Sequence, residues 1–279
     1  MLNSRLIYMP LLTYPDVVPN EAVTAAVAFA PMIGCELHVT TFAVNFPNVY
    51  SPLDGLFLSI PEIIGAAEQT SQANCRRLEA LVHNEADKTI RVESSSKTLG
   101  MGMIEETVAS DARYFDIALF PWAKDLPVVQ DVVQAVIFDS GRPVILVPQT
   151  ENSGPIEHMA VAWDGTRAAA RALADAMPLM TEHTRITVLT IQGEKELARV
   201  DLAESLATSL RRRGFQAQAH TVTLDQRPIA EVLQESALAM GANLLVMGGF
   251  GHSRIRDFVL GGATKGVFAD LRIPVLFSH

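Results

Sequence analysis

Two short apolar runs, each entered through a proline, recur at matching places in this 279-residue chain and constrain its architecture more than any other feature. Arg142-Pro143-Val144-Ile145-Leu146 closes one half, and Ile273-Pro274-Val275-Leu276-Phe277 closes the other. Proline is tolerated at the first residue of a strand, where its missing N–H is not needed. A second apolar run precedes each, at residues 116–120 and 243–247. Earlier runs also correspond: 6–9 with 159–162, and 37–42 with 186–191. Ala-rich amphipathic patterns separate them, at 20–33, 64–84 and 102–114 in the first half and at 167–179, 195–213 and 228–240 in the second. Short apolar strands alternating with helices predict βαβ units and parallel sheets covered on both faces. The expected fold is therefore α/β: two Rossmann-like domains, each with a five-stranded parallel sheet. A polar segment bounded by prolines, residues 148–155, divides domain 1–150 from domain 151–279.

Composition fits that plan and excludes several functions. Domains of about 130–150 residues bury enough surface to fold without disulfides or metals. A net charge of −9 argues against nucleic acid as the main partner, because that binding rests on phosphate neutralisation by Lys and Arg. The compact basic cluster Arg211-Arg212-Arg213 precedes Gly214 and reads as a helix C-terminus complementing the macrodipole. Cys35 and Cys75 lack metal or redox spacing, and His158, His183 and His220 are scattered singly, so no metal site is expected. The N-terminus lacks a basic segment followed by an apolar one, and no apolar run reaches the ~18 residues of a membrane helix. The expectation is a soluble, reducing, cytoplasmic setting.

One loop carries chemistry. After the run ending at Met247 the chain reads Gly248-Gly249-Phe250-Gly251-His252-Ser253-Arg254-Ile255-Arg256-Asp257-Phe258-Val259-Leu260-Gly261-Gly262-Ala263-Thr264. Gly248, Gly251 and Gly261 form G-x2-G-x9-G, which is neither a Walker A motif nor G-x-G-x-x-G. The physics is related. Glycine lets a ligand approach the backbone, and consecutive N–H groups can line an anion site. Gly261 and Gly262 open the next predicted helix, whose N-terminus favours phosphate, and Thr264 lies in its first turn. The loop also falls at the carboxyl end of a parallel sheet, where ligands bind.

The segment from Met247 to Ser278 resembles the C-terminal part of a universal stress protein domain, whose nucleotide-binding members carry this glycine spacing followed by Ser or Thr. The resemblance extends over the chain as a tandem pair. It implies a fold like the adenine nucleotide alpha hydrolases and a regulatory stress protein binding ATP, ADP or AMP, with or without magnesium. It implies phosphate contacts at Gly248, Gly251 and Gly261, with Met247, Gly262 and Thr264 beside them and His252, Ser253 and Arg254 as phosphate neighbours. Asp164, after the first strand of the second half, would meet the ribose or adenine, and Ile191 would meet adenine through its backbone. It also implies that the two halves pair through their last strands as a pseudo-dimer; a homodimer is compatible with it. Gly262 replaces the usual hydroxyl residue, so one donor is missing.

The first half lacks the loop. Pro121-Trp122-Ala123-Lys124-Asp125-Leu126 contains no glycine, Gln130 and Val133 stand where Gly261 and Thr264 do, and Leu11 is expected where the second half has Asp164. No nucleotide is expected there. The segment 45–61, rich in Phe and Pro, either lines an apolar pocket or covers the core. His252 and Ser253 have no evident acidic partner except Asp257, and the adjacent Glu105 and Glu106 diverge on a helix, so no catalytic residues are assigned. Two alternatives stay open: a slow ATP hydrolase, and a module for a lipid or other apolar ligand.

Overall fold

The computed structural model describes residues 5–34, 36–47, 60–86, 88–149, 154–193, 201–249 and 262–279. Each half supplies five strands. The first holds β1 (Leu6–Leu12), β2 (Glu36–Asn45), β3 (Arg91–Gly100), β4 (Ile117–Pro121) and β5 (Val144–Val147). The second holds β6 (His158–Ala162), β7 (Arg185–Gln192), β8 (Gln216–Thr223), β9 (Leu244–Gly248) and β10 (Val275–Ser278). Helices α1 (Asn20–Phe29), α2 (Ile60–Glu85), α3 (Ile104–Ala112) and α4 (Pro127–Ala135) connect the first set. Helices α5 (Arg167–Ala176), α6 (Leu202–Arg212), α7 (Ile229–Ala239) and α8 (Gly262–Ala269) connect the second.

The strands form one continuous sheet in the order β3-β2-β1-β4-β5-β10-β9-β6-β7-β8. Pairing is parallel within each half and antiparallel where β5 meets β10, with Leu276 opposite Ile145. The expected pairing through the last strands is thus present, and two five-stranded sheets fuse into one. Central strands covered on both faces read as continuous apolar runs. Val144, Ile145, Leu146, Val275, Leu276 and Phe277 accordingly expose nothing. Each such burial contributes about 1.5–3 kcal/mol. The prolines enter as expected. The Pro143 carbonyl accepts from Ala118, and the Pro274 carbonyl accepts from Leu245.

Edge strands β3 and β8 have no apolar signature. β3 reads RVESSSKTLG, with most side chains exposed, because an edge strand is kept polar against edge-to-edge pairing. Only its pairing with β2 makes it a strand. The arginine cluster does end a helix: α6 stops at Arg212, and Gly214 sits at φ +91° to turn the chain away. Among the described residues no helix is long and apolar enough to cross a membrane.

Candidate functional site

The sheet's carboxyl rim in the second half brings three segments together. The first is the turn after β6. Gly165 takes φ +75°, and Thr166 caps α5 by accepting from the Ala169 N–H at 3.2 Å. Asp164, half-buried, accepts from the Thr166 N–H at 3.0 Å and from the Thr166 hydroxyl at 2.7 Å. This is an Asx turn stacked on an N-cap, so the carboxylate is held by its own local backbone.

The second segment is the end of β9. A Cβ on Gly248 would lie 2.6 Å from both the Ala168 carbonyl carbon and the Ala169 nitrogen. Gly248 is therefore required by the close approach of α5's first turn, whatever else it does. That approach places the Asp164 turn against the start of the glycine loop. Met247 is buried in β9 directly before it. Gly249 continues the ladder, donating to the Ser278 carbonyl at 2.8 Å.

The third is the apolar patch at the end of β7. Ile191 is buried with Leu189, Val232 and Leu233, and Ala162, Val222, Leu224 and Ala263 pack on it. Ala263 belongs to the first turn of α8, so the helix start adjoins the patch. Helix α8 begins at Gly262, which is exposed, and carries Thr264 buried in its first turn. A helix thus starts at Gly262, where the sequence predicts one. Gly251, Gly261, His252, Ser253 and Arg254 lie outside the described residues.

The far end of α8 is tied down. Helices leave their last carbonyls without intrahelical donors. One of these, that of Phe268, accepts from the Trp122 indole at 3.2 Å, across the two halves. The Trp122 and Phe268 rings sit 5.0 Å apart, and Lys124 pairs with Asp270 at 3.3 Å. Hydrogen bonds from Arg272, the largest cause, and the nearby Lys124 hold the Asp270 carboxyl below the usual range. On the other side Gly266 lets α8 press on α7, since a Cβ there would meet the Ala230 Cβ at 2.4 Å.

The first half shows how such a rim is filled. Ile7 faces Leu37 and Ile117 as Met159 faces Ile186 and Leu244. This register makes Leu12 the counterpart of Asp164, one residue beyond the expected Leu11, because β1 runs on to Leu12. It makes Phe42 the counterpart of Ile191. The Phe42 carbonyl is occupied by the Thr13 hydroxyl at 2.7 Å, and Ser71 and Glu68 of α2 accept from the Val44 and Phe46 amides. Trp122 takes the place of Gly249, donating its own N–H to the Val147 carbonyl at 2.8 Å. The first half thus satisfies its strand ends with its own side chains and sends Trp122 to its neighbour. Of the apolar segment 45–61, residues 48–59 lie outside the described residues, as does Cys35; Cys75 is buried.

Sequence reasoning also missed a cluster. Among the described residues Glu36, His38 and Glu93 bring one carboxylate or imidazole atom each within 4.8 Å of one another. Glu93 stands on β3, far away in the chain, and pairing with β2 alone places it opposite His38.

Comparison with known proteins agrees with this fold. The sequence pattern of the Universal stress protein family matches residues 155–279. A universal stress protein from Archaeoglobus fulgidus superposes with a TM-score of 0.68 at 15% identity, over 97% of this chain and 95% of that chain. A functionally unknown protein from Pseudomonas aeruginosa superposes with a TM-score of 0.51 at 14% identity, over 99% of this chain and 92% of that chain. At such identities these two show the shared fold. No curated protein matches in sequence.

Proposed function

We propose that the chain, whose residues 155–279 match the Universal stress protein family, is a stress protein whose second half, 151–279, binds an adenine nucleotide and whose first half, 1–150, does not. The carrying observation is the G-x2-G-x9-G loop between β9 and α8, at the sheet's carboxyl rim beside the Asp164 turn. In this reading the amides around Gly248, Gly251, Gly261 and Gly262 meet the phosphates, with Thr264 in the same turn. Asp164 meets the ribose, and the patch around Ile191 meets the base. His252, Ser253 and Arg254 stand beside the phosphates, where magnesium could join ATP. The protein acts as a regulator in the cytoplasm rather than as a catalyst. The occupied Phe42 carbonyl, the apolar Leu12 and the glycine-free turn at Trp122 support an empty first half.

Isothermal titration of the full chain with AMP, ADP and ATP tests this. One site per chain is expected. Gly251→Val should eliminate binding while the circular dichroism spectrum and melting temperature stay close to wild type. Retained affinity in that variant would remove the loop from the site. Identifying the ligand that copurifies with the protein decides among the nucleotides, and a bound lipid there would favour the apolar-ligand alternative.

A further inference from the structure

The Glu36, His38 and Glu93 cluster lies on the two outermost strands of the first half. Glu36 and His38 are two apart on β2 and so share a face. Glu93 is the cross-strand partner of His38 in β3. The imidazole rests against the Phe115 ring, centroids 5.1 Å apart, and Phe115 stacks on Tyr8 at 4.9 Å. The ring is held by packing rather than swinging freely in solvent.

Both ring nitrogens face carboxylates. Nε2 lies 2.9 Å from the Glu36 carboxylate, and Nδ1 lies 3.5 Å from the Glu93 carboxylate. A neutral imidazole carries one N–H, so it can satisfy only one of them. Its other nitrogen would aim a lone pair at an anionic oxygen. One positive charge beside the ring, whether a second ring proton or a bound cation, satisfies both carboxylates. Among the described residues Arg91 is the one other cation in reach; it pairs with Glu93 and is 69% exposed. Among the described residues Glu36 meets no cation besides His38.

We propose that Glu36, His38 and Glu93 bind a divalent transition-metal ion of the zinc class, closing the β2–β3 edge of the sheet. One imidazole nitrogen and two carboxylate oxygens are the donor set such ions take, leaving a fourth position for water. Two carboxylates and a neutral imidazole carry a charge of −2, which the ion balances, and Arg91 is released to solvent. Three ligands on adjacent paired strands are already held near one another. Oxygen-seeking magnesium and calcium gain little from the single nitrogen.

The test is titration of the intact protein with zinc in a non-coordinating buffer, followed by calorimetry and by melting temperature. One ion per chain is expected, together with a rise in melting temperature. His38→Ala and Glu93→Gln should each weaken binding by about tenfold or more, since even outer-shell losses cost 10–100-fold. His220→Ala, an exposed histidine on β8, should bind as wild type does. Cobalt should give the visible absorption of a low-coordinate site and lose it in His38→Ala. Affinity should fall on acidification because the ligands must shed protons. The exposed Glu93→Gln variant keeps the test valid if His38→Ala folds poorly. An absence of zinc binding, or equal affinity in wild type and Glu93→Gln, would overturn the assignment.

Discussion

At the scale of single residues, glycines that look alike in the sequence differ in what they do. Gly248 has backbone atoms of α5 where its side chain would be, so Gly248→Ala must push a helix away from a strand. Overpacking of that kind costs about 1–3 kcal/mol, and backbone obstruction places this case at the upper end. Gly262 has nothing within 4 Å, so Gly262→Ala should leave stability unchanged or raise it by up to about 1 kcal/mol. Urea unfolding of the two variants checks the contrast; equal losses would contradict it. His158 makes a separate prediction. It is buried at the start of β6, with Nε2 2.8 Å from the Thr187 hydroxyl. Burial, and secondarily the charge of Arg185, push its pKa below the ordinary 6.5. The native imidazole therefore stays neutral where the unfolded one already binds a proton. Its effect is absent above about pH 7, and stability falls as pH drops below 6.5, by at most about 1.4 kcal/mol per pH unit from this group. His158→Gln should flatten the stability profile between pH 7 and 5. An unchanged slope would show that other groups govern it.

At the scale of elements, α8 is the piece that links the candidate site to the rest of the molecule. Its start carries Gly262, and its end is capped by an indole from the other half. Trp122→Phe keeps the ring contact and strands the Phe268 carbonyl, which costs about 1–3 kcal/mol. Trp122→Ala also leaves a cavity, and about 3–5 kcal/mol is expected. Thermal melts should rank wild type, Phe and Ala in that order; an alanine variant as stable as wild type would mean the clamp is idle. The role of Trp122 was not legible in the sequence, where it appeared only as a residue of a glycine-free loop. The strands that the fold buries on both faces were legible, because burial writes itself as continuous Val, Ile and Leu. So were the helices of Ala-rich amphipathic spacing. The edge strand β3 was not, since its residues are chosen against pairing and its neighbour β2 makes the strand. Glu93 was invisible as a possible ligand for the same reason: only the β2–β3 register brings it to His38. The slip from Leu12 to Leu11 is of this kind too, because apolar patterning marks a strand without fixing its last residue.

At the scale of the whole molecule, the antiparallel β5–β10 seam decides whether the two halves unfold together. One buried apolar cluster runs across it and includes residues of β1, β4, β5, β6, β9 and β10. Without the seam, each half would present a fully buried, largely apolar strand as an open edge. The halves should therefore unfold in one cooperative step. The two tryptophans read this directly, since Trp122 lies in the first half and Trp163 in the second. Trp163→Phe leaves emission from the first half alone. A label-free signal from the second half, with Trp122 replaced by Phe, complements it. Because both signals are read on the same variant, the cost of each replacement shifts them together, and fluorescence midpoints in urea should coincide with the loss of helical circular dichroism. Leu276→Ala weakens the seam from one side and costs about 2–5 kcal/mol. If Leu276 binds the halves, this variant should separate the transitions, with the second half melting first because β10 belongs to it. Adding the nucleotide identified by titration should then move only the second-half transition, as binding to one native unit raises the stability of that unit alone. Two separated transitions in the unaltered protein would instead show that the continuous sheet joins halves that are energetically independent.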